Sequence, residues 1–449
     1  MIRRFLGFLK RHDMIDLNVS GKAAITFGLK IASQLLSFTL FVILARYLGV
    51  EGFGIYVFVW GWIKILMILG KNGMDVAATR YAGGYFEAGQ AGDLFVFQRF
   101  AGSIVVFASL TIALGGSFLV SVLPGLEREV RFTFHAGFAL LPFWSMTAYL
   151  QALCRVRQHM IAGVLPDSVV RHVIQLVLIV AVLAGGMTLD APLAMATALG
   201  GMIGAFLAGL AMTWRTGIWR RGDSRQITGD DRAADWLKYG VMMIIISGSV
   251  IILRQIDVIM LGILTSAGET GAYGAATRIA NLATFALTAV QLVIAPKISG
   301  YYTTGEMDRL QRLLRQSSAL IALASFVIVT ILWGIAPYIL AQIGQDFSRA
   351  FVPLQILLIA QLLNALVGPV GFVLTMTGNQ RPASMILLVT IVIDIVLNAV
   401  LIPLYGIIGA AIATAAAFVL WNVVMLVFAF RRVGLDPSIM CLFRKEHHA

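Results

Sequence analysis

Uncharged apolar runs about twenty residues long recur along this chain, as in "SSALIALASFVIVTILWGIAPYIL" (317–340). Each can cross a bilayer as a helix, which needs ~20 apolar residues at 1.5 Å of rise apiece. Inside hydrocarbon the backbone must satisfy its own hydrogen bonds, and a helix does so locally. The fold class that follows is an all-α membrane protein. Twelve spans are read, at about 23–47, 53–71, 100–123, 132–154, 161–185, 191–213, 239–264, 270–295, 317–340, 353–377, 383–403 and 406–430. Of the 449 residues 59% are hydrophobic and 12% charged, against roughly a quarter charged in soluble domains.

The net charge of +12 raises nucleic acid as a partner, but the placement of the charges argues against it. With the N-terminus inside, 25 of the 34 Lys and Arg residues fall in inner segments and three, Arg128, Arg131 and Arg349, in outer loops. That asymmetry orients a polytopic protein with both termini cytoplasmic. Membrane lipids, not nucleic acid, are the expected surroundings. Cys154 and Cys441 both fall on the inner side, where no disulfide is expected.

The stretch 1–22, "MIRRFLGFLKRH…", sets Ile2, Phe5, Leu6 and Leu9 on one face and Arg3, Arg4, Lys10 and Arg11 on the other, the layout of an interfacial helix. Residues 23–213 then form one six-helix lobe and 239–430 a second. The polar segment 214–238 joins them inside, and 431–449 is a cytoplasmic tail. An internal repeat supports the two lobes. Tyr56 in "EGFGIY" and Tyr273 in "ETGAY" are 217 residues apart, as are the "MATA" of 195–198 and the "IATA" of 412–415. Two halves in parallel repeat give such an offset.

No phosphate-binding loop, HExxH, GxSxG or CxxC occurs, and the longest extramembrane piece, 71–99, holds no catalytic domain. The chain reads as a transporter and not an enzyme. Gly200 and Gly204 form one GxxxG, read as close packing within the fold. His172 is read as a packing residue in the fifth span.

The informative residues are the charges left inside the spans: Lys30, Arg46, Lys64, Arg171, Arg254 and Arg278, against Asp257 and Asp394. Arg46 can snorkel to the interface. Arg171 can pair with Asp167 at i,i+4, and Arg254 with Asp257 at i,i+3, whereas Lys64 and Arg278 have no local partner. Excess cations deep in a bundle imply a wet cavity and an anionic ligand. Asp394 and Asn398 share one helix face. Asp257, Asp394, Asn398 and Thr414 fall at similar depth and supply carboxylate, amide and hydroxyl oxygens, a set suited to a hard cation. Packing, with Asp257 on Arg254 and Asp394 on Asn398, is the other reading.

Three stretches, "FVILARYLGVEGFGIYVF" (41–58), "RQIDVIMLGILTSAGETGAYGAATRIANL" (254–282) and "LIPLYGIIGAAIATA" (401–415), resemble the polysaccharide transporter family of flippases. This is the O-antigen and exopolysaccharide branch of the superfamily that holds lipid II flippases and multidrug extruders. The resemblance implies two pseudo-symmetric six-helix lobes around a central cavity, in the bacterial inner membrane. It implies alternating-access movement of an undecaprenyl-pyrophosphate-linked glycan to the outer leaflet, with no cofactor beyond a coupling Na+ or H+. Lys30, Arg46, Lys64, Arg171, Arg254 and Arg278 then become candidate substrate contacts. A polysaccharide polymerase and export machinery become candidate partners of a monomer.

The similarity also implies a sodium site like that of lipid II flippases, on helices 7, 11 and 12. Their helix-11 Asn and Asp occur here in reversed order as Asp394 and Asn398, the helix-12 Thr as Thr414, and the carbonyl one turn earlier as Ala410. The reversal leaves sodium and a proton both open. Lipid II flippases carry arginines in the core of the first helix and two further helices. This chain lacks both, which favours the O-antigen, capsule or exopolysaccharide branch. A drug exporter of the same superfamily, whose cavity is apolar or acidic, and a membrane glycosyltransferase or polymerase, which needs a sizeable outer loop, are the alternatives.

Overall fold

The computed structural model describes residues 17–217 and 232–442. The interfacial helix expected over the first residues, most of segment 214–238 and the end of the tail lie outside them. Among the described residues the chain is helical, with no strand. Two helices are double length, and each is broken by one glycine: 17–71 at Gly49 (φ 67) and 380–428 at Gly406 (φ 56). Left-handed φ costs glycine little, so each break separates two crossings.

The spans in order are α1 (17–48) and α2 (50–71), α3 (Ala91–Val122), α4 (Arg128–Val156), α5 (Pro166–Ala184) and α6 (Ala191–Arg215). Next come α7 (Arg232–Leu253 continued by Ile256–Leu264) and α8 (Ala267–Ala280 continued to Thr304). The series ends with α9 (Met307–Ile343), α10 (Phe351–Val367 continued by Val370–Met376), α11 (380–405) and α12 (407–428). Among the described residues eight helices are long and apolar enough to span, and the bent pair in α8 makes a ninth. Dividing the two double-length helices and adding the less apolar α4 gives the twelve read from the sequence. Asp190 Oδ1 accepts from Leu193 N (2.8 Å) to cap α6, and Ser266 Oγ accepts from Glu269 N (3.3 Å) to cap α8.

The chain forms two compact units that divide at Ile259/Met260, so the start of α7 groups with the spans before it. The reason is how α7 begins. Trp236 is buried among Tyr81, Tyr85, Phe97 and Phe100, and its Nε1 donates to Tyr85 OH (3.2 Å). Arg232 pairs with Asp93 (3.0 Å), and Arg80 lies 4.5 Å over the Tyr239 ring. The start of the seventh span is thereby fixed to the first unit by aromatic packing that its own lobe's numbering does not suggest.

Two glycines permit that seam. Gly73 (φ 67) sits so close to Gly240 that a Cβ would lie 2.1 Å from the Gly240 carbonyl oxygen. Gly73→Ala pays about 1–2 kcal/mol for the left-handed backbone alone, and the carbonyl clash comes on top. Its thermal midpoint is expected to fall by at least ~5 °C. Gly300→Ala, where a Cβ meets nothing within 4 Å, is expected to unfold at or above the wild-type midpoint. Equal midpoints for the two variants would rule out the seam.

Elsewhere in the first unit the GxxxG pair packs as read. A Cβ on Gly200 would meet Leu178 at 2.5 Å, and one on Gly204 would meet Ile174 at 2.2 Å, so α5 lies directly on the α6 glycines. In the second unit the start of the tail is fastened to α9. Gln311 Nε2 donates to Asp436 O (2.8 Å), Asp436 N donates to Gln311 Oε1 (3.0 Å), and the Ser318 hydroxyl donates to Pro437 O. Both cysteines are free and buried. Burial, with Asp436 nearby, pushes the Cys441 thiol up to about 11, which leaves it protonated and unreactive at neutral pH.

Candidate functional site

α11 is a helix turned inside out. Thr390, Asp394 and Asn398 stand at intervals of four and are buried, while Val392, Val396 and Val400 between them are more than half exposed. Interval four keeps a stripe on one face. In hydrocarbon the apolar face turns outward and the polar stripe inward.

Within the stripe Asn398 Nδ2 donates to Asp394 O (2.9 Å) and to Asp394 Oδ1 (3.0 Å). Both side chains are fully buried. Asn398 Oδ1 is buried and accepts from no protein donor. A buried acceptor left so costs on the order of 1–3 kcal/mol. At the α11–α12 corner a Cβ on Gly409 would lie 2.0 Å from Leu401 O, so only glycine lets the two arms close. Beyond the corner, α12 buries Ala410 and Thr414, and Thr414 Oγ1 lies 3.1 Å from Tyr273 OH on α8.

The α11 stripe supplies a carboxylate and an amide oxygen, and the Thr414–Tyr273 contact supplies hydroxyls; each is oxygen chemistry that suits a hard cation or a proton. Among the described residues no three His, Cys, Asp or Glu side chains gather. Tyr273 was missed as a site residue, although the 217-residue offset had singled it out as a repeat marker. Its repeat counterpart Tyr56 stacks on Trp60 (5.8 Å), and Thr197, the counterpart of Thr414, gives its hydroxyl to Ala194 O (2.7 Å).

Asp257 belongs to the first unit, whereas Asp394, Asn398, Ala410 and Thr414 belong to the second. Its carboxylate is buried and accepts from Val258 N (2.8 Å), opening the second segment of α7 after the break at 254–255.

Of the expected substrate cations, Arg171 is the most elaborately held. It pairs with Asp167 (2.9 Å) as the i,i+4 spacing suggests. Its guanidinium also lies 5.8 Å from the Trp60 ring and 5.9 Å from the Trp144 ring, which stack on each other at 5.3 Å. His172 is engaged at both nitrogens, with Nδ1 on Ser168 O (2.8 Å) and Nε2 beside Arg171 Nη2 (3.1 Å). It is the packing residue the sequence suggested.

Lys64, which has no local partner in the sequence, donates from Nζ to Gln255 Oε1 (3.2 Å), 191 residues away. Arg254, next to Gln255, is exposed at the α7 break, and Arg46 is exposed near the end of α1. Lys30 and Arg278 are half-buried, the latter in the last turn of the first segment of α8.

Comparison with known proteins gives this arrangement its setting. Residues 20–302 match the family described as polysaccharide biosynthesis protein, and residues 242–400 match the MatE family. A probable low-salt glycan biosynthesis flippase, Agl15, of Haloferax volcanii is 24% identical over 221 residues, 48% of this chain and 46% of that protein. The probable flippase AglR of the same organism is 28% identical over 174 residues, 37% of this chain and 36% of that protein. The match thus spans less than half the length of either relative.

Among solved structures, an inward-facing multidrug resistance MATE transporter of the MOP superfamily superposes with TM-score 0.75 at 12% identity. It covers 92% of this chain and 98% of its own. The lipid II flippase MurJ in an inward closed conformation gives 0.70 at 14% identity, over 90% and 87%. At these identities the structures establish a shared fold.

Proposed function

The chain belongs to the polysaccharide biosynthesis protein family and crosses the membrane many times, and from that premise we propose that it is a flippase for lipid-linked glycans. The ligand is read as an oligosaccharide repeat unit on undecaprenyl pyrophosphate. It moves from the inner to the outer leaflet of the bacterial cytoplasmic membrane by alternating access, for O-antigen, capsule or exopolysaccharide. Both chain termini lie in the cytoplasm, and the working form is a monomer, with the repeat-unit polymerase and export machinery as partners.

The observation that carries this reading is cationic side chains kept within apolar spans. Arg171 is backed by the stacked indoles of Trp60 and Trp144, and Lys64 is oriented by Gln255. A pyrophosphate calls for such charges, and a sugar ring suits aromatic faces beside polar groups. Lys30, Arg46, Arg254 and Arg278 are assigned to the same anionic ligand.

The second part of the proposal is coupling. Asp394 and Asn398, with Ala410 O, Thr414 and Asp257, are assigned to a coupling Na+ or H+. The support is the oxygen-only donor set and the buried amide oxygen of Asn398 that no protein donor reaches.

A drug-exporter reading has its own support, the MatE match over 242–400. One experiment separates the two. The gene is deleted in its source strain, and surface polysaccharide, lipid-linked repeat units and dye efflux are measured together. The expected result is loss of surface polymer, accumulation of carrier-linked units on the inner leaflet, and unchanged efflux, all restored by the wild-type gene. Intact polymer with lost efflux would overturn the flippase reading.

A further inference from the structure

A further polar cluster lies in the second unit, where α10 packs on α12. Asn422 Nδ2 donates to Asn364 Oδ1 (2.9 Å) and to Phe418 O (2.8 Å). One turn before Asn364 on α10, Gln361 is 7% exposed, and its Oε1 is buried without a donor. Next to Asn422, the half-buried Trp421 stacks on Phe418 (5.8 Å, 20°), and its indole Nε1 is buried without an acceptor. Spacings 361/364 and 418/421/422 put each helix's contribution on one face.

The inventory of what is missing is specific. The cluster lacks a donor for Gln361 Oε1 and an acceptor for Trp421 Nε1. It has no ionisable group among these five residues, so it carries no charge to offset that of an anion or a cation. A hydroxyl is donor and acceptor at once, and a stacked aromatic pair offers an apolar plane beside it. Mere helix glue predicts the opposite pattern. Polar residues that serve only to join membrane helices satisfy one another, as Asn364 and Asn422 do, and leave no neighbour wanting.

The geometry points to a subsite for a neutral, polyhydroxylated ligand, the sugar portion of the substrate, formed by Gln361, Asn364, Phe418, Trp421 and Asn422. This rests on the flippase reading and deepens it. The cations take the charged head, and this cluster takes ring hydroxyls. Gln361 and Trp421 set which glycan is accepted.

The test uses full-length protein in nanodiscs with 15N-labelled tryptophan, the Trp421 indole signal being assigned by Trp421→Phe. One probe is the repeat-unit oligosaccharide of the source cells, freed of its lipid by mild acid, and the other is inorganic pyrophosphate. The oligosaccharide is expected to shift the Trp421 signal saturably, and pyrophosphate to leave it unmoved. Gln361→Met, close in shape and unable to accept, should weaken the oligosaccharide Kd about tenfold, the usual worth of one buried hydrogen bond to ligand. It should leave the thermal midpoint unchanged or higher, since it removes an unsatisfied amide.

No shift, a shift by pyrophosphate alone, or an unchanged Kd for Gln361→Met would overturn the subsite and leave a site for structural water only. Wild-type export by both Gln361→Met and Trp421→Phe would do the same while the flippase reading stood. Failure of the wild-type gene to restore polymer would instead overturn the flippase reading, with the indole shift still reporting on the subsite.

Discussion

Asp394→Asn protein is expected to reach the membrane and fold, yet to lose ion-driven transport by two orders of magnitude or more. The substitution keeps the shape and keeps both acceptors that Asn398 uses, Asp394 O and the Oδ1 position. What it removes is the charge. If the residue served packing alone, neutralising a fully buried carboxylate would be harmless or stabilising. If it holds a cation or a proton, the driving gradient loses its grip on the transporter. The check is glycan translocation in proteoliposomes under imposed sodium or proton gradients. An Asp394→Asn protein that keeps wild-type dependence on both gradients would sink the assignment. Tyr273→Phe, which strips the hydroxyl beside Thr414 (3.1 Å), is expected to weaken the dependence more mildly, by about tenfold. Asp257→Asn decides whether the carboxylate of the first unit serves the same ion, because an equal loss assigns it there.

Lys64→Ala and Arg278→Ala are each expected to cut glycan export about 30-fold or more, the scale for truncating one member of a buried charge pair. Both residues are half-buried in spans. Lys64 is aimed by Gln255, so its ammonium is placed before any ligand arrives. Arg278→Lys keeps the charge but not the planar fork and is expected to recover part of the loss, which a merely structural role would not predict. Arg309→Ala, at an exposed ion pair with Glu306, is the control and should export normally. Surface polymer in the deletion strain, normalised to transporter in the membrane, gives the readout. Normal export by both alanine variants would withdraw the pyrophosphate assignment.

The spans were legible because a bilayer fixes their length. Runs such as 317–340 reappear inside α9, and the glycines at 49 and 406 mark where a continuous run turns back. The polar stripe of α11 was legible too, since spacing four along one helix needs no knowledge of its neighbours. What the sequence hid are meetings between distant helices. Tyr273 reaches Thr414 across 141 residues and Lys64 reaches Gln255 across 191, and no local spacing records which faces converge. The break within α10 at Gly368 (φ 76) and Pro369 was written in the residues but passed over, because the run on both sides stays apolar. The amides of Asn364 and Asn422 were invisible for a related reason. Single polar residues in apolar helices gain meaning only when two of them are set opposite each other.

The seam at Gly73 and Gly240 bears on where such a chain can be divided. By the 217-residue offset, α7 is the second repeat's copy of α1, and yet its first half is seated on the first repeat through Trp236 and the paired glycines. The boundary of inheritance and the boundary of compactness therefore do not coincide. A cut between the repeats would therefore strip the start of α7 of the aromatic seat that holds it, and leave Tyr85 without the Trp236 indole that donates to it.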